Sequence, residues 1–240
     1  MKNDNRVFIG LILIIVVIAL VVCFFAFKKE EIEEVKSDAI KIKEEYSILN
    51  NQVNENNNKT YPIVELRDDN PFVYKNEDEV LELLKNKTAL IYFGFSSCPW
   101  CRSMLPVLDE AAKETGIASI AYLDIKNIRD VKELDENDKI VTTTEGTSNY
   151  YKILDVLKKE LDDYVLTTKS GKKINTGEKR LYAPTVVAVR DGKITGIHVG
   201  TLDSQKSGYD ALTDKEKTEL KNTFVDLIHT MNEGICNDAC

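Results

Sequence analysis

The chain has 240 residues, with 32 lysines and arginines against 40 aspartates and glutamates, and a formal charge of −8. A surface of that sign offers no basic stripe to displace phosphate counterions, which excludes nucleic acid as a partner. At 43% hydrophobic and 30% charged residues, the bulk is ordinary globular protein, not a disordered polar tract.

After a short segment of residues 1–6, Val7–Phe27 carries no charge. As a helix it would span about 31 Å, enough for the hydrocarbon core of a bilayer. A cleavable signal peptide would have a shorter apolar core and small residues at its exit; here Phe24, Phe25 and Phe27 crowd that position. The run therefore predicts an uncleaved signal anchor, one transmembrane helix over 7–27. Basic residues flank both ends (Lys2, Arg6, Lys28, Lys29), so charge does not orient it. A long domain behind a single anchor is normally translocated, which predicts a single-pass cell-membrane protein with everything from about residue 28 extracytoplasmic. Cys23, inside the run, reads as a small apolar residue.

From residue 32 the apolar positions Ile32, Val35, Ala39, Ile42, Tyr46, Leu49 and Val53 recur at alternating steps of three and four. That is a heptad seam. It predicts a helical stalk over 28–60, its stripe resting on lipid or on its own domain, or pairing two chains into a homodimer through 32–53. The Asn-rich stretch Asn54–Lys59 reads as a flexible spacer, which starts the folded domain near Tyr61 and ends it near residue 232.

Thr88–Phe95 (TALIYFGF) is a short apolar run rich in strand formers and reads as a buried strand. Cys98-Pro99-Trp100-Cys101 follows, and then a helical stretch with Leu105, Leu108, Ala111 and Ala112 on one face. Strand, Cys-x-x-Cys and helix are what dithiol redox chemistry requires. A cysteine at a helix N-terminus lies among unpaired backbone N–H groups that stabilise its thiolate. Pro99 suits the first turn, where a missing N–H costs nothing. Cys98 is then the exposed nucleophile and Cys101, a turn below, the resolving thiol. The competing reading of Cys-x-x-Cys is half of a zinc site, for which Cys236 and Cys240 would be the other half.

These residues resemble the thioredoxin superfamily. Arg102 follows the second cysteine, and Pro106 stands where the family carries a proline in the active-site helix. Ala183-Pro184-Thr185 leads into a strand Val186–Arg190, Asp191-Gly192 is a hairpin signal, and Lys193–Val199 returns to Gly200. The resemblance, over roughly 64–124 and 181–231, implies a thioredoxin fold: α/β, a central mixed sheet flanked by helices. It also implies that Pro184 is a cis-proline facing the dithiol, with Ala183 beside it, and that no cofactor is needed. Two departures stand out. Tyr92 occupies the place of the family's buried aspartate, and Tyr122 that of its lysine on the next strand. With a Pro-Trp dipeptide between the cysteines, they suit an extracytoplasmic enzyme of intermediate potential. The anchor adds resemblance to the bacteriocin transport accessory proteins.

Residues 126–180 exceed the single helix the basic fold needs and form an insertion before the cis-proline strand. Within it Ser148 is the expected cap of a helix carrying Ile153, Val156, Leu157 and Leu161. The insertion either borders the substrate groove or covers a sheet edge. Asp135-Glu136-Asn137-Asp138 lacks the glycine and glutamate of a calcium loop and reads as a solvated turn. Thr213–Met231 is the final helix. By strand parity it starts on the dithiol's side and runs away from it, so the tail 233–240 is expected to form a local Cys236–Cys240 disulfide, a relay to a second chain being the alternative. His198 and His229 stand in no ligand cluster, and no metal site is expected.

The reading is a thiol–disulfide oxidoreductase acting on secreted or envelope protein thiols and disulfides, alone or fed by a membrane electron carrier. Its rivals are a binding or chaperone module for an exported peptide and a metal-handling protein using the cysteine pairs.

Overall fold

The computed structural model describes residues 36–231. The apolar run 7–27, seam positions Ile32 and Val35, and the Cys236/Cys240 pair lie outside the described residues. Among the described residues, no helix is long and apolar enough to cross a membrane.

In chain order, helix α1 (Asp38–Ser47) precedes a short hairpin of β1 (Val53–Asn54) and β2 (Lys59–Thr60). Strand β3 (Phe72–Tyr74), helix α2 (Glu77–Asn86), β4 (Ala89–Gly94), α3 (Pro99–Thr115) and β5 (Ile120–Asp124) follow. Residues 126–180 hold a hairpin of β6 (Val131–Leu134) and β7 (Ile140–Thr144), helix α4 (Ser148–Leu157), and a hairpin of β8 (Asp163–Thr167) and β9 (Lys173–Lys179). The described chain closes with β10 (Thr185–Arg190), β11 (Lys193–Val199) and α5 (Asp214–Thr230).

Five strands form the central sheet in the order β11-β10-β4-β5-β3. β3, β4 and β5 run parallel, and β10 runs antiparallel to both of its neighbours, β4 and β11. Side-chain alternation along β4 decides the layers: Leu90 and Tyr92 join one core, Ile91 and Phe93 the other. β5 repeats this with Ile120 and Tyr122 against Ala121 and Leu123. Strands covered on both faces explain the unbroken apolar run at 88–95. The first core holds residues of α1, α3 and α5, the second residues of α2 and α4. This is the mixed α/β sheet flanked by helices that the sequence predicts.

Local chemistry fixes the ends of these elements. Asn76 and Glu79 form a capping box at the start of α2, and Thr213 and Glu216 another at α5, each worth about 1 kcal/mol. The β10–β11 turn places Asp191 and Gly192 at φ 50° and 72°, the left-handed pair of a tight hairpin. A Cβ on Gly192 would also lie 2.0 Å from the Lys85 carbonyl oxygen, so only glycine lets the turn approach α2.

Three expectations need correction. The folded unit begins at Ser37, not near Tyr61, because the seam is part of the core. Ile42 and Tyr46 are fully buried against the sheet, and α1 ends at Ser47 before Leu49 and Val53. Ile42 and Tyr46 are thus taken up within their own domain, whereas Val53 is 54% exposed. The Asn-rich spacer is instead the β1–β2 hairpin, held by Asn54 and Asn57 amides donating to the Tyr209 hydroxyl at 2.6 and 3.0 Å. The cap of α4 is Thr147, whose side chain accepts the Tyr150 N–H, and Ser148 is the first helical residue. In the same insertion Tyr150, Ile153 and Leu157 cover the second face of the sheet, packing with α2 instead of at an edge.

Candidate active site

Cys98 is the N-cap of α3, and its Sγ accepts the Cys101 amide N–H at 3.2 Å. The strand β4 ends at Gly94 and the chain turns at once into the helix, so the sulfur meets N–H groups that no preceding turn satisfies. Pro99 occupies the first helical turn. Both cysteines are reduced, Cys98 at 5% exposure and Cys101 at none. Burial works against charge on Cys98. Hydrogen bonds from the Cys101 thiol and amide, the nearby Arg129 guanidinium and the Trp100 N–H outweigh it and hold the Cys98 thiol below its usual range. Cys101 goes the other way: burial, then the adjacent Cys98, push it well up. One thiol is ready to attack and the other is held back.

The Ala183–Pro184 peptide is cis. When protonated, the Cys98 thiol donates to the Ala183 carbonyl across 3.5 Å, which brings together the four positions 98, 101, 183 and 184 that the sequence singled out. Pro184 is buried and leads into β10, whose Thr185 pairs with Phe93 of β4. Beside them a cleft of about 390 Å³ is lined by Trp100, Tyr182, Ala183, Gly200, Leu202 and Gln205. The 200–213 loop is fitted to Trp100 at Gly208, where a Cβ would lie 2.8 Å from the Trp100 nitrogen and 2.9 Å from its indole. Gln205 donates to Ser103 Oγ at 3.1 Å, and Ser103 donates to the Gly208 carbonyl at 3.2 Å. This loop is tied to the first turns of α3.

Beneath the dithiol, Tyr92, Tyr46 and Tyr122 are fully buried. The Tyr46 hydroxyl lies 3.0 Å from that of Tyr92 and donates to that of Tyr122 at 3.4 Å. The rings of Tyr92 and Tyr122 stack with centroids 5.2 Å apart. Burial raises all three hydroxyls far above the usual tyrosine range, so they stay protonated.

Two charged residues complete the surroundings. Arg102, fully buried, donates to the carbonyls of Tyr46, Pro62 and Ser96 and to Asn50 Oδ1, at 2.6–3.2 Å. Arg129 was not legible as a site residue. It enters from the first residues of the insertion, its guanidinium 4.8 Å from the Phe95 ring centroid, and its charge acts on both thiols. The insertion therefore brings a positive charge to bear on the dithiol. A lone arginine in a polar stretch gives no periodicity or spacing that could have marked it.

The two histidines, expected in no ligand cluster, have other surroundings. His198 sits edge-on to Phe224, ring centroids 5.3 Å apart, with Nε2 3.1 Å from the Thr201 carbonyl, and His229 is exposed on α5. The start of α5 is near the 200–213 loop, and its far end meets Arg190, whose Nη1 donates to the Thr230 carbonyl at 3.4 Å. That end is opposite Cys98. Among the described residues, no group of three or more His, Cys, Asp and Glu is placed to hold a metal ion. Asp135 closes the β6–β7 turn, its carboxylate accepting the Asn137 and Lys139 N–H groups at 2.8 Å.

Comparison with known proteins bears on this arrangement. The family described as TraF, F plasmid transfer operon protein, matches residues 34–138, a span that includes α1 and the dithiol. A thioredoxin-like protein of Synechocystis sp. is 31% identical over 91 residues, covering 32% of this chain and 83% of the relative. The chain belongs to the thioredoxin-like family. A solved structure similar to this thioredoxin-like protein is that of oxidised thioredoxin O2 from Arabidopsis thaliana. It is 18% identical, with a TM-score of 0.35, covering 66% of this chain and 96% of the other. Membership supports thiol–disulfide chemistry as the type of activity in this thioredoxin-like protein.

Proposed function

We propose that the protein is a membrane-anchored thiol–disulfide oxidoreductase working through Cys98 and Cys101 on exported proteins. One observation carries this: Cys98 Sγ caps α3, takes the Cys101 N–H and faces the Ala183 carbonyl ahead of cis-Pro184. In the forward direction the Cys98 thiolate attacks a substrate disulfide, forming a mixed disulfide and expelling one substrate thiolate. Cys101 then gives up its proton and attacks Cys98 Sγ, forming the Cys98–Cys101 disulfide. The second substrate sulfur leaves and gains a proton, so the substrate disulfide is reduced by two electrons and the dithiol oxidised by two. Run backwards, the same steps donate a disulfide. The electrons pass through sulfur alone. Pro184 blocks wrong engagement at the dithiol, and Trp100 and Ala183 border the cleft that receives substrate.

The uncharged run 7–27 supports the anchor, and with it an extracytoplasmic site acting on secreted or envelope proteins, in the manner of the bacteriocin transport accessory proteins. The test equilibrates the full chain, with Cys23, Cys236 and Cys240 replaced by serine, against glutathione mixtures and traps thiols by alkylation. A two-electron transition lost in Cys98→Ser is expected. A potential above about −200 mV supports disulfide formation or isomerisation, and one near −270 mV a reductase fed by a membrane electron carrier. Absence of any exchange overturns the proposal.

A further inference from the structure

Resolution of the mixed disulfide presents a problem that the geometry of Cys98 does not solve. Cys101 is fully buried in an apolar core, where a thiolate is costly unless something donates to it. Among the described residues, no carboxylate is hydrogen-bonded to it. The groups that face it are Cys98 on its own helix, the Phe95 backbone just beyond β4, the Tyr92 hydroxyl from β4, Tyr46 from α1, and the Arg129 charge from the insertion; of these, the Phe95 backbone and Tyr92 favour the thiolate by hydrogen bonding. Farther along, Arg102 acts on Tyr46, and Glu45 and Asp124 lie at the Tyr122 end.

We propose that the buried hydroxyls of Tyr92, Tyr46 and Tyr122 form a reversible hydrogen-bond chain that stabilises Cys101 as a thiolate during resolution. The inference rests on the dithiol reading above and deepens it. Each hydroxyl carries one proton, so the chain has a direction. As found, Tyr46 donates to Tyr122. Its oxygen therefore receives the Tyr92 proton across 3.0 Å, while the Cys101 thiol donates its own proton to Cys98. When Cys101 loses its proton, two hydroxyl rotations suffice: Tyr46 turns its proton from Tyr122 to Tyr92, a contact that admits either donor, and Tyr92 turns its proton to the sulfur. No tyrosine gives up its proton. The proton lost by Cys101 is balanced by the one that the departing substrate sulfur gains.

The packing holds the Tyr92 hydroxyl in place for this. A Cβ on Gly94 would lie 2.1 Å from its oxygen, so the hydroxyl lodges where β4 has no side chain, at the end of the strand that leads to Cys98. The stacked Tyr122 ring and the tilted Phe72 ring, 5.2 and 6.0 Å away between centroids, fix the other sides. Tyr92 touches the reacting sulfur's surroundings directly, while Tyr46 and Tyr122 are positioning residues that act through it. This gives the first helix a chemical role as well as a packing one.

The test uses the full chain with Cys23, Cys236 and Cys240 replaced by serine, mixed in reduced form with dithiobis(nitrobenzoate). Attack by Cys98 releases one nitrothiobenzoate, and resolution by Cys101 releases the second, so absorbance records the two steps as separate phases. In Tyr92→Phe the first phase should be unchanged. The second should slow by about tenfold or more, the effect of losing a hydrogen bond to a charged group, and its rise with pH should move to higher pH. Tyr46→Phe should shift it the same way by less, and adding Tyr46→Phe to Tyr92→Phe should cost little more. A second phase in Tyr92→Phe with the parent's rate and pH profile overturns the chain while leaving the dithiol intact. Should Tyr92→Phe lose the first phase through misfolding, unchanged second phases in Tyr46→Phe and Tyr122→Phe overturn it instead. Absence of the first phase in the parent overturns both the dithiol and the tyrosine roles.

Discussion

Arg102 Nη1 lies 2.7 Å from the Tyr46 carbonyl, so the helix that carries the dithiol also holds the end of α1. The same guanidinium serves three more acceptors, none of them a carboxylate. An arginine can satisfy this fork of acceptors, whereas a lysine ammonium cannot reach all of them.

Arg102→Met should therefore destabilise the domain by roughly 3 kcal/mol or more, since buried acceptors lose a charged donor. Chemical denaturation measures the loss. Amide exchange should show α1 affected before the central sheet, and unaltered α1 protection would refute this role.

Arg129 should tune the nucleophile. Its positive charge favours the Cys98 thiolate, which stabilises the reduced form. Arg129→Gln should raise the Cys98 pKa and make the Cys98/Cys101 couple more reducing, by at most about 30 mV if the equilibrium changes tenfold. The pH dependence of alkylation and a glutathione titration check both signs, and a potential that moves upward contradicts the assignment.

Gly208 faces the chain's one tryptophan. Gly208→Ala has to push the 200–213 loop off the Trp100 ring, an overpacking cost of about 1–3 kcal/mol. Trp100 emission should shift to longer wavelength as water reaches the ring. An unshifted spectrum at unchanged stability would show that the loop yields without moving the indole.

His198 predicts an acid limb of stability. Burial lowers its pKa from 6.5, despite carbonyls at Thr201 and Gly200 that favour the proton. The unfolded chain thus binds this proton at higher pH than the folded one. The contribution of the neutral ring is complete above pH 6.5 and is lost as pH falls through the lowered folded value. Urea midpoints for the parent and His198→Gln should differ by a constant amount above that pH, and the gap should shrink below it. A gap independent of pH would place the titration elsewhere.

How much of this was legible depends on what each signal measures. β4, the β10–β11 hairpin and α5 follow their sequence ranges within a residue or two, because periodicity and turn glycines are local. Cys98, Cys101 and Pro184 were readable for a related reason: their spacing and order encode the chemistry. The destination of α1 was not. Steps of three and four show that Ile42 and Tyr46 are buried, but the stripe looks the same against a partner helix, a lipid surface or the domain's own sheet. The Asn-rich stretch misled through composition, since the hydroxyl that orders it belongs to Tyr209, far along the chain. Arg129 and the 46–92–122 cluster arise only when distant segments meet. Tyr92 and Tyr122 stand out in the sequence as departures, yet nothing there shows that they meet Tyr46.

The burial of Ile42 and Tyr46 also governs where the protein can be cut. Cleavage ahead of Ser37 leaves every core contact of the described domain in place. Cleavage between residues 51 and 61 releases the segment that shields Tyr92 and Tyr122 and strips Arg102 of the Tyr46 carbonyl and the Asn50 side-chain oxygen. Limited proteolysis should accordingly separate two outcomes: a trimmed product that keeps its disulfide exchange, and a shorter one whose sheet is opened to water behind Cys101.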